Sequence, residues 1–305
     1  MTEKILLKPG TLWLKLLQQT EYARHTGALQ SITTDYQFIQ HNDISFIVRR
    51  VYNLARKKKA KQKQKQQEIK TGKYFDPFLP YEEDLFVSDI SPTHLCLLNK
   101  FNVVDHHLLI VTRDFEEQDN LLNFDDFVAL WACMQEIDGL AFYNGGKIAG
   151  ASQRHKHLQL VPLPFIPDTE IIPIQPALNQ AVYSNSLGTI PSFPFDHAIA
   201  EIKITDLDNP LIAGKVMLDC YYSLLEKVGF SIDLNKSLQP GAYNLLVTRN
   251  WMLLIPRSQE AFANISINSL GFAGSLFVKD CNSLALLEEL NPMTVLSAVG
   301  VTTNH

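Results

Sequence analysis

Polar side chains recur at every second position in the segment RHKHLQ. If this segment is a β-strand, His155, His157 and Gln159 lie on one face of it, while Lys156 and Leu158 lie on the other. Polar groups on an otherwise apolar strand need partners, because burying them without partners is unfavourable. A neutral histidine in this setting could attack phosphorus through one ring nitrogen while an acceptor holds its other N–H.

Glycine-rich sequence comes immediately before this strand. Asn144 is followed by two glycines, and Gly150 opens a short run that contains Ser152 and Gln153. Backbone N–H groups in such loops can approach an anion with little steric hindrance, and the two side chains add further donors. The segment therefore predicts a phosphate cradle facing the histidines.

Spacing alone leaves three interpretations of the histidines open. The first is a nucleophilic histidine. The second is a metal site, because two histidines in H-x-H spacing on a strand are also a common metal-binding pattern. Its third ligand would be His94, His106 or His107 from the neighbouring strands. The third interpretation is a structural role for each ring.

The elements that must position these residues have clear sequence signals. LFVSDI, THLCLLNK and HLLIVTRDF are three closely spaced strand candidates and predict an antiparallel sheet. Asn123 is a good N-cap for the amphipathic helix that comes next. That helix is followed by a strand, the glycine loop and the histidine strand, which we place at 154–161.

A second unit is expected after a proline-rich connector that begins near residue 165. Asn209 followed by Pro210 predicts the start of a helix that ends at Gly229. YNLLVTR and WMLLIPR then read as paired strands. The sequence thus predicts an α+β fold of two units, with an antiparallel sheet flanked by helices.

Composition excludes several functional classes. The net charge is −5, yet residues 56–73 alone carry about +8, so the rest of the chain is strongly acidic. A dedicated nucleic-acid binder would spread basic charge over a docking face, so no nucleic-acid partner is expected.

No apolar run reaches the roughly 18 residues of a spanning helix, and no signal peptide is evident, so we expect a cytosolic protein without a membrane partner. The four cysteines form no C-x-x-C pair, which argues against a cysteine zinc site. The Lys/Gln-rich tract predicts either a mobile loop or a solvated helix.

GASQRHKHLQ resembles the H-x-H-x-Q form of the histidine-triad motif found in diadenosine tetraphosphate phosphorylases, also called ATP adenylyltransferases. Galactose-1-phosphate uridylyltransferases carry a related form. The resemblance covers most of the chain outside the basic tract and the connector, and it includes GALQSI, an NPF-like DPFLP, LLNKFNVVDHHLLIVTRDFEEQ, FYNGGKIAGAS, YNLLVTRNWMLLIPR and SINSLGFAGSLFVKD.

This resemblance implies a histidine-triad-like catalytic domain at 1–180 and a C-terminal phosphorylase domain at 181–305 that completes the nucleotide cleft. His157 would attack an α-phosphorus of diadenosine tetraphosphate, expel ATP and hold AMP, and inorganic phosphate would then release ADP. The backbone carbonyl of His155 would accept from the His157 ring, and Gln159 would hold phosphate oxygens. The other positions that match the family's substrate-binding residues are Lys57, Asn99, Lys100, Asn144, Gly150, Ser152, Gln153, Asn268, Gly271 and Lys279.

The resemblance also implies a divalent cation, Mg²⁺ by preference, that accompanies the polyphosphate, with no protein-derived metal site and no organic cofactor. One departure is Arg154, which stands where the family often has proline and puts the rigidity of the loop in question. Two other functions stay open: a non-catalytic sensor of dinucleotide polyphosphates, and a hexose-1-phosphate uridylyltransferase that uses the same nucleophile. The sequence does not indicate an oligomeric state.

Overall fold

The computed structural model describes residues 4–52, 62, 64–66, 68–72, 74–167, 169, 171–233 and 235–303. Lys57, predicted to reach a distal phosphate, lies outside the described residues. The described residues of the basic tract from 62 to 71 are helical and mostly exposed, which matches the solvated helix.

The elements of the first part of the chain are α1 (Leu12–Thr26), β1 (Thr34–His41), β2 (Ile44–Val51), β3 (Phe86–Asp89), β4 (His94–Leu98), β5 (Leu108–Thr112), α2 (Phe124–Met134), β6 (Gly139–Gly145) and β7 (His157–Pro162). Short 3₁₀ turns cover Glu83–Leu85 and Lys147–Ala149.

The elements of the second part are α3 (Gln175–Leu178), β8 (Val182–Ser184), β9 (Leu187–Thr189), β10 (Ala198–Glu201), α4 (Pro210–Lys227), β11 (Tyr243–Val247), β12 (Trp251–Pro256), β13 (Ala261–Phe262), β14 (Ile265–Ser266), α5 (Ser269–Phe272), β15 (Ser275–Val278), α6 (Cys281–Leu290) and α7 (Pro292–Val299).

One large antiparallel sheet dominates the fold. Among the described residues it has ten strands, in the order β3-β4-β5-β7-β6-β11-β12-β10-β9-β8. The antiparallel sheet flanked by helices is therefore confirmed. The second part of the chain extends this sheet, because β11 pairs directly with β6. A smaller sheet contains β1, β2 and β15, and β15 runs parallel to β2.

The ends of the main helices follow from local capping chemistry. Asn123 accepts from the backbone of Asp126, whose side chain bonds back to Asn123, so α2 begins with a capping box. Asn209 caps α4 with Pro210 as its first residue. Gly27 ends α1 in the left-handed conformation, at φ 78°.

The two faces of the large sheet differ in a way that creates the site. One face packs against α2 and α4 over a continuous apolar core that includes Leu158 and Leu160. The other face carries two separate apolar clusters, one containing Leu140 and Phe142 and the other containing Leu109. Polar side chains of β6 and β7, namely Asn144, His157 and Gln159, lie between these two clusters. No helix of the described chain has the length and apolar character that membrane crossing requires, and the cytosolic location stays a prediction.

Candidate active site

The candidate site lies where β6 and β7 separate. Their ladder ends at the pair Phe142 and Gln159, so the next row, Asn144 and His157, lacks direct backbone bonds. The side chain of Gln118 fills that gap. It accepts from the His157 backbone N–H at 2.8 Å and donates to the Asn144 carbonyl at 3.0 Å. The sheet therefore opens at His157 without leaving these backbone groups unpaired.

His157 lies at the start of β7 with a defined tautomer. Its Nδ1 is 2.8 Å from the carbonyl oxygen of His155, which can only accept, so Nδ1 carries the proton. Burial lowers the pKa of His157 to about 4, an effect that this hydrogen bond partly offsets. At neutral pH the ring is therefore uncharged, and Nε2 holds a lone pair that is available for attack on phosphorus.

His155 is completely buried and is held at both ring nitrogens. Its Nε2 lies 2.8 Å from the carbonyl oxygen of Thr112, and its Nδ1 lies 2.7 Å from a carboxylate oxygen of Asp76. The rings of Phe78 and Phe115 contact it edge-on. His155 was predicted to lie within the strand, but β7 begins only at His157, and His155 forms an isolated bridge in front of it.

Gln159 is the end of a relay of side-chain hydrogen bonds. Asn99 Nδ2 lies 3.3 Å from His107 Nδ1, and His107 Nε2 lies 3.0 Å from Gln159 Oε1. Since Gln159 Oε1 accepts here, His107 donates through Nε2 and accepts through Nδ1. The Gln159 amide nitrogen is then left as a donor, which suits a phosphoryl oxygen.

Asn144 connects the site to the second part of the chain. Its Oδ1 accepts from Asn244 Nδ2, from the Ser269 backbone N–H and from the Ser269 hydroxyl, at 2.8–2.9 Å. Asn244 in turn accepts from the buried guanidinium of Arg257 at 2.5 Å, and that guanidinium also donates to the carbonyl of Ala149 at 3.4 Å. With its oxygen fully used, Asn144 has its amide nitrogen left as the group available to a ligand.

The glycine loop forms more hydrogen bonds within itself than the sequence suggested. Its residues fold into a 3₁₀ turn in which the N–H groups of Ala149, Gly150 and Ala151 donate to carbonyls of the same loop. The expectation that the backbone N–H groups of Gly150 and Ala151 face phosphate was therefore wrong. Ser152 is exposed and Gln153 half-exposed, so these side chains remain accessible as phosphate donors.

Gly150 has a steric role in this loop. It adopts φ +93°, and a Cβ there would lie 2.9 Å from the carbonyl oxygen of Ile267 and 3.0 Å from Cβ of Asn268. Only glycine allows both this backbone conformation and this close approach. The loop is thus pressed against the turn that starts α5.

The other predicted binding residues have structural contacts or lie at the surface. Asn268 caps α5 through its side chain, and Gly271 is buried within that helix. Lys100 pairs with Glu82. Lys279 is exposed after β15, on the small sheet. The binding roles of these residues, and that of Lys57, stay predictions.

Arg154, the departure from the family pattern, is anchored. Its guanidinium pairs with Glu117 and lies 4.9 Å from the ring centre of Tyr74. Its backbone N–H donates to the Tyr74 hydroxyl at 3.1 Å. These contacts supply an alternative to the rigidity that a proline would give.

A buried charge network supports β7 from the opposite face. Lys156 is fully buried and lies 2.6 Å from Asp126 and 3.1 Å from Glu116. Asp126 also pairs with His94 at 3.0 Å. Burial alone would raise the pKa of Asp126, but Lys156 and His94 outweigh burial and lower this pKa to about 2. Asp126 therefore stays ionised and keeps this network intact.

The histidines considered as a third metal ligand point elsewhere. His94 belongs to the network on the opposite face, His107 bonds to Gln159, and His106 packs against α1. Within the described part of the chain, no group of three His, Cys, Asp or Glu side chains is arranged to hold a metal ion.

Sequence reasoning missed several residues of the site. Gln118 was noticed only as the last residue of LLNKFNVVDHHLLIVTRDFEEQ in the family resemblance, because its role depends on a gap between two strands. His107 was considered only as a metal ligand, whereas the structure shows it orienting Gln159. Asp76 and Phe78 were noticed only within DPFLP, as part of a family resemblance.

Comparisons with known proteins agree with this geometry. The Ap4A phosphorylase N-terminal domain family matches residues 2–180, and the ATP adenylyltransferase C-terminal domain family matches residues 191–302. The chain is 30% identical over 243 residues to diadenosine 5',5'''-P1,P4-tetraphosphate phosphorylase 2 of Saccharomyces cerevisiae, covering 70% of this chain and 72% of that protein. It is 27% identical over 241 residues to Protein APA1 of the same yeast, covering 67% and 69%.

Solved structures show the same fold. The crystal structure of yeast Ap4A phosphorylase Apa2 matches with a TM-score of 0.77 at 22% identity, over 98% of this chain and 100% of that one. The structure of Apa2 in complex with Ap4A matches with a TM-score of 0.76 at 24% identity, over 98% and 100%.

Proposed function

Because this chain belongs to the Ap4A phosphorylase family of ATP adenylyltransferases, we propose that it cleaves diadenosine tetraphosphate (Ap4A) with inorganic phosphate to give ATP and ADP. The observation that carries the proposal is the state of His157. Its Nδ1 proton is held by the His155 carbonyl, so its Nε2 lone pair is free to act as a nucleophile.

The reaction proceeds in two displacements at one phosphorus atom. In the first, His157 Nε2 bonds to an α-phosphorus of Ap4A, and the bond from that phosphorus to the bridging oxygen breaks and releases ATP. AMP is then linked to His157. In the second, an oxygen of inorganic phosphate bonds to the same phosphorus, the P–N bond breaks, and ADP leaves.

No proton has to move in the first displacement. ATP departs as an anion that needs no general acid, and the Nδ1–H of His157 stays bonded to the His155 carbonyl. The ring becomes positively charged as the P–N bond forms, so that hydrogen bond strengthens. This fits a site in which Gln159 stands at the position where a third histidine would supply a proton.

In this proposal, two amides bind the reacting phosphoryl group. Gln159 presents Nε2, because His107 occupies its oxygen. Asn144 presents Nδ2, because Asn244 and Ser269 occupy its oxygen. Both are neutral donors, so they stabilise the charge that develops on the phosphoryl oxygens without protonating His157.

We also propose that Mg²⁺ binds with the polyphosphate. Such a cation would be held mainly by phosphate oxygens and water. Bound in this way, Mg²⁺ would offset the charge of the polyphosphate. Two carboxylates lie near the loop in the described chain: Glu117 already pairs with Arg154, and Asp119 lies beside Gly146.

Phosphorolysis tests the proposal directly. Purified protein is incubated with Ap4A, Mg²⁺ and inorganic phosphate, and the nucleotides are separated over time. We expect equal amounts of ATP and ADP, formed only when phosphate is present, and no product from His157→Ala. His25→Ala, which removes an exposed imidazole from α1, is the matched control and should keep full activity.

Two other outcomes would overturn the proposal. If the wild-type protein binds Ap4A without cleaving it, the chain is a sensor of dinucleotide polyphosphates. If it instead exchanges uridylyl groups between UDP-hexose and hexose 1-phosphate, the same nucleophile serves a uridylyltransferase.

A further inference from the structure

His155 faces a hydrogen-bond acceptor at each of its ring nitrogens. Nε2 lies 2.8 Å from the Thr112 carbonyl oxygen and 3.0 Å from the Thr112 hydroxyl. The carbonyl has no proton to give, and a lone pair on Nε2 would repel it at this distance, so Nε2 donates to the carbonyl. The Asp76 carboxylate oxygen lies 2.7 Å from Nδ1. Both contacts are satisfied at once if both ring nitrogens carry protons, and the ring is then an imidazolium.

Both oxygens of the Asp76 carboxylate have hydrogen-bond partners. One carboxylate oxygen accepts from the backbone N–H of Phe78 at 2.9 Å, and the other faces His155. Two donors directed at one carboxylate stabilise the anion. The Asp76 side chain is 12% exposed and that of His155 is fully buried, so water screens the contact little.

We propose that Asp76 holds His155 as a doubly protonated imidazolium, and that this buried ion pair is a positioning device for the nucleophile His157. The His155 ring is fixed at both ends, by Asp76 on one side and by Thr112 of β5 on the other. Its backbone carbonyl is the acceptor for His157 Nδ1, at 2.8 Å. Clamping the ring therefore fixes the oxygen that sets the tautomer and orientation of His157.

Aromatic packing makes the clamp rigid. Phe78 lies edge-on to His155 and to His157, with ring centres 5.7 and 5.3 Å apart, and Phe78 follows Asp76 by only two residues. The segment that supplies the carboxylate thus also supplies a wall against both imidazoles. The hydrogen bonds of Asp76 go to the backbone of Phe78 and to the His155 ring, so any effect of Asp76 on His157 is transmitted through His155.

The charge on His155 has a second consequence. Burial is the main cause of the low pKa of His157; a positive charge on His155 lowers that pKa further, and the negative charge of Asp76 partly offsets this effect. The other charges near His155 are the Arg154 and Glu117 pair in front of it and Lys156, which turns to the opposite face with Glu116. Each of these groups already has its own partner, so Asp76 is the counter-ion of His155.

The protonation state of His155 can be observed without substrate. Protein labelled with ¹⁵N at histidine is examined by long-range ¹H–¹⁵N correlation spectra near neutral pH, and His155 and His157 are assigned from their Gln variants. We expect two protonated nitrogens for His155 and one protonated nitrogen, Nδ1, for His157. An unprotonated nitrogen in His155 would overturn the proposal, including the case in which Asp76 keeps the proton.

Asp76→Asn tests the role of the carboxylate. An asparagine amide can donate to Nδ1, which allows a neutral His155, so we expect one His155 nitrogen to lose its proton. Asp219→Asn, in an exposed ion pair on α4, is the matched control and should leave the His155 spectrum unchanged. A variant in which His155 keeps both protons would contradict the assignment of Asp76, and the wild-type spectrum decides the matter if the variant does not fold.

The kinetic part rests on the proposed function. With Ap4A as substrate, Asp76→Asn should lower kcat by about 10- to 100-fold, the loss expected from one charged hydrogen bond, while KM changes little. A variant with unchanged kcat would show that the pair does not position His157. If the wild-type protein does not cleave Ap4A at all but shows a doubly protonated His155, the proposed function fails and the ion pair stands.

Discussion

Gln159 Oε1 accepts a hydrogen bond from His107 Nε2 at 3.0 Å, and this contact decides which end of the Gln159 amide faces the nucleophile. Asn99 helps to fix the orientation of the His107 ring, because its amide nitrogen lies 3.3 Å from His107 Nδ1. The proposed function assigns phosphate binding to this amide, so a change in its orientation should change the rate of phosphorolysis.

The first prediction concerns this relay. His107→Phe removes the donor, so the Gln159 amide can rotate and present its oxygen to phosphate. We expect kcat/KM for Ap4A to fall roughly 3- to 10-fold, the equivalent of one neutral hydrogen bond. In Gln159→Leu the same His107 change should have almost no effect. Equal effects of His107→Phe in both backgrounds would show that the relay does not act through Gln159.

A second prediction concerns pH and His157. Burial holds the pKa of this imidazole at about 4 in the folded protein, against about 6.5 in the unfolded chain. The unfolded state therefore binds more protons between these values, so stability is present above pH 6.5 and is lost as the pH falls toward 4. Between pH 7 and 4.5 the wild-type protein should lose about 2 kcal/mol more free energy of unfolding than His157→Gln, as measured by urea titration. Parallel losses in the two proteins would contradict this assignment.

The buried network behind β7 supplies a third prediction. Asp126→Asn leaves Lys156 buried without its main counter-charge, and breaking a buried pair in this way costs about 3–5 kcal/mol of unfolding free energy. Urea denaturation at pH 7 measures the loss, with Asp219→Asn as the exposed control, which should change by less than about 1 kcal/mol. A loss of similar size in the control and in Asp126→Asn would mean that the network contributes little.

Gly150 and Gly229 form a matched pair for a fourth prediction. Both have positive φ, at +93° and +83°, but a Cβ meets Ile267 and Asn268 only at Gly150, whereas Gly229 has open space. Gly229→Ala should cost about 1 kcal/mol from backbone strain alone. Gly150→Ala should cost more and also reduce phosphorolysis, because the glycine loop must move away from α5. Thermal denaturation and activity assays of both variants test this. Equal stability losses with full activity in both variants would refute it.

The parts of the site that were predictable from sequence depend on local periodicity. The two-residue repeat of a strand places His157 and Gln159 on one side of β7, and the structure shows this arrangement. His155 lies before the strand, yet it shares with His157 the contact with Phe78. The caps of α2 and α4 were equally predictable, because Asn123 and Asn209 act on the residues next to them.

The parts that were not predictable depend on distant segments. Gln118, His107 and Asp76 lie 39, 52 and 79 residues from the histidine-strand residues they contact. Single-sequence patterns contain no distances between segments, so these partners emerged only with the fold. The phosphate-binding role of the glycine-loop N–H groups was wrongly predicted for a different reason. These groups donate to carbonyls within a 3₁₀ turn, which the glycine content of the loop does not reveal.

The central claim is that His157 carries AMP during turnover, and trapping that adduct tests it most directly. Protein is mixed with Ap4A and Mg²⁺ without phosphate, quenched in alkali, digested, and its peptides are examined by mass spectrometry. We predict AMP on the peptide that contains His157, removed by mild acid or by added phosphate, and no adduct in His157→Ala. Turnover without any adduct on His157, or an adduct on another residue, would contradict the account.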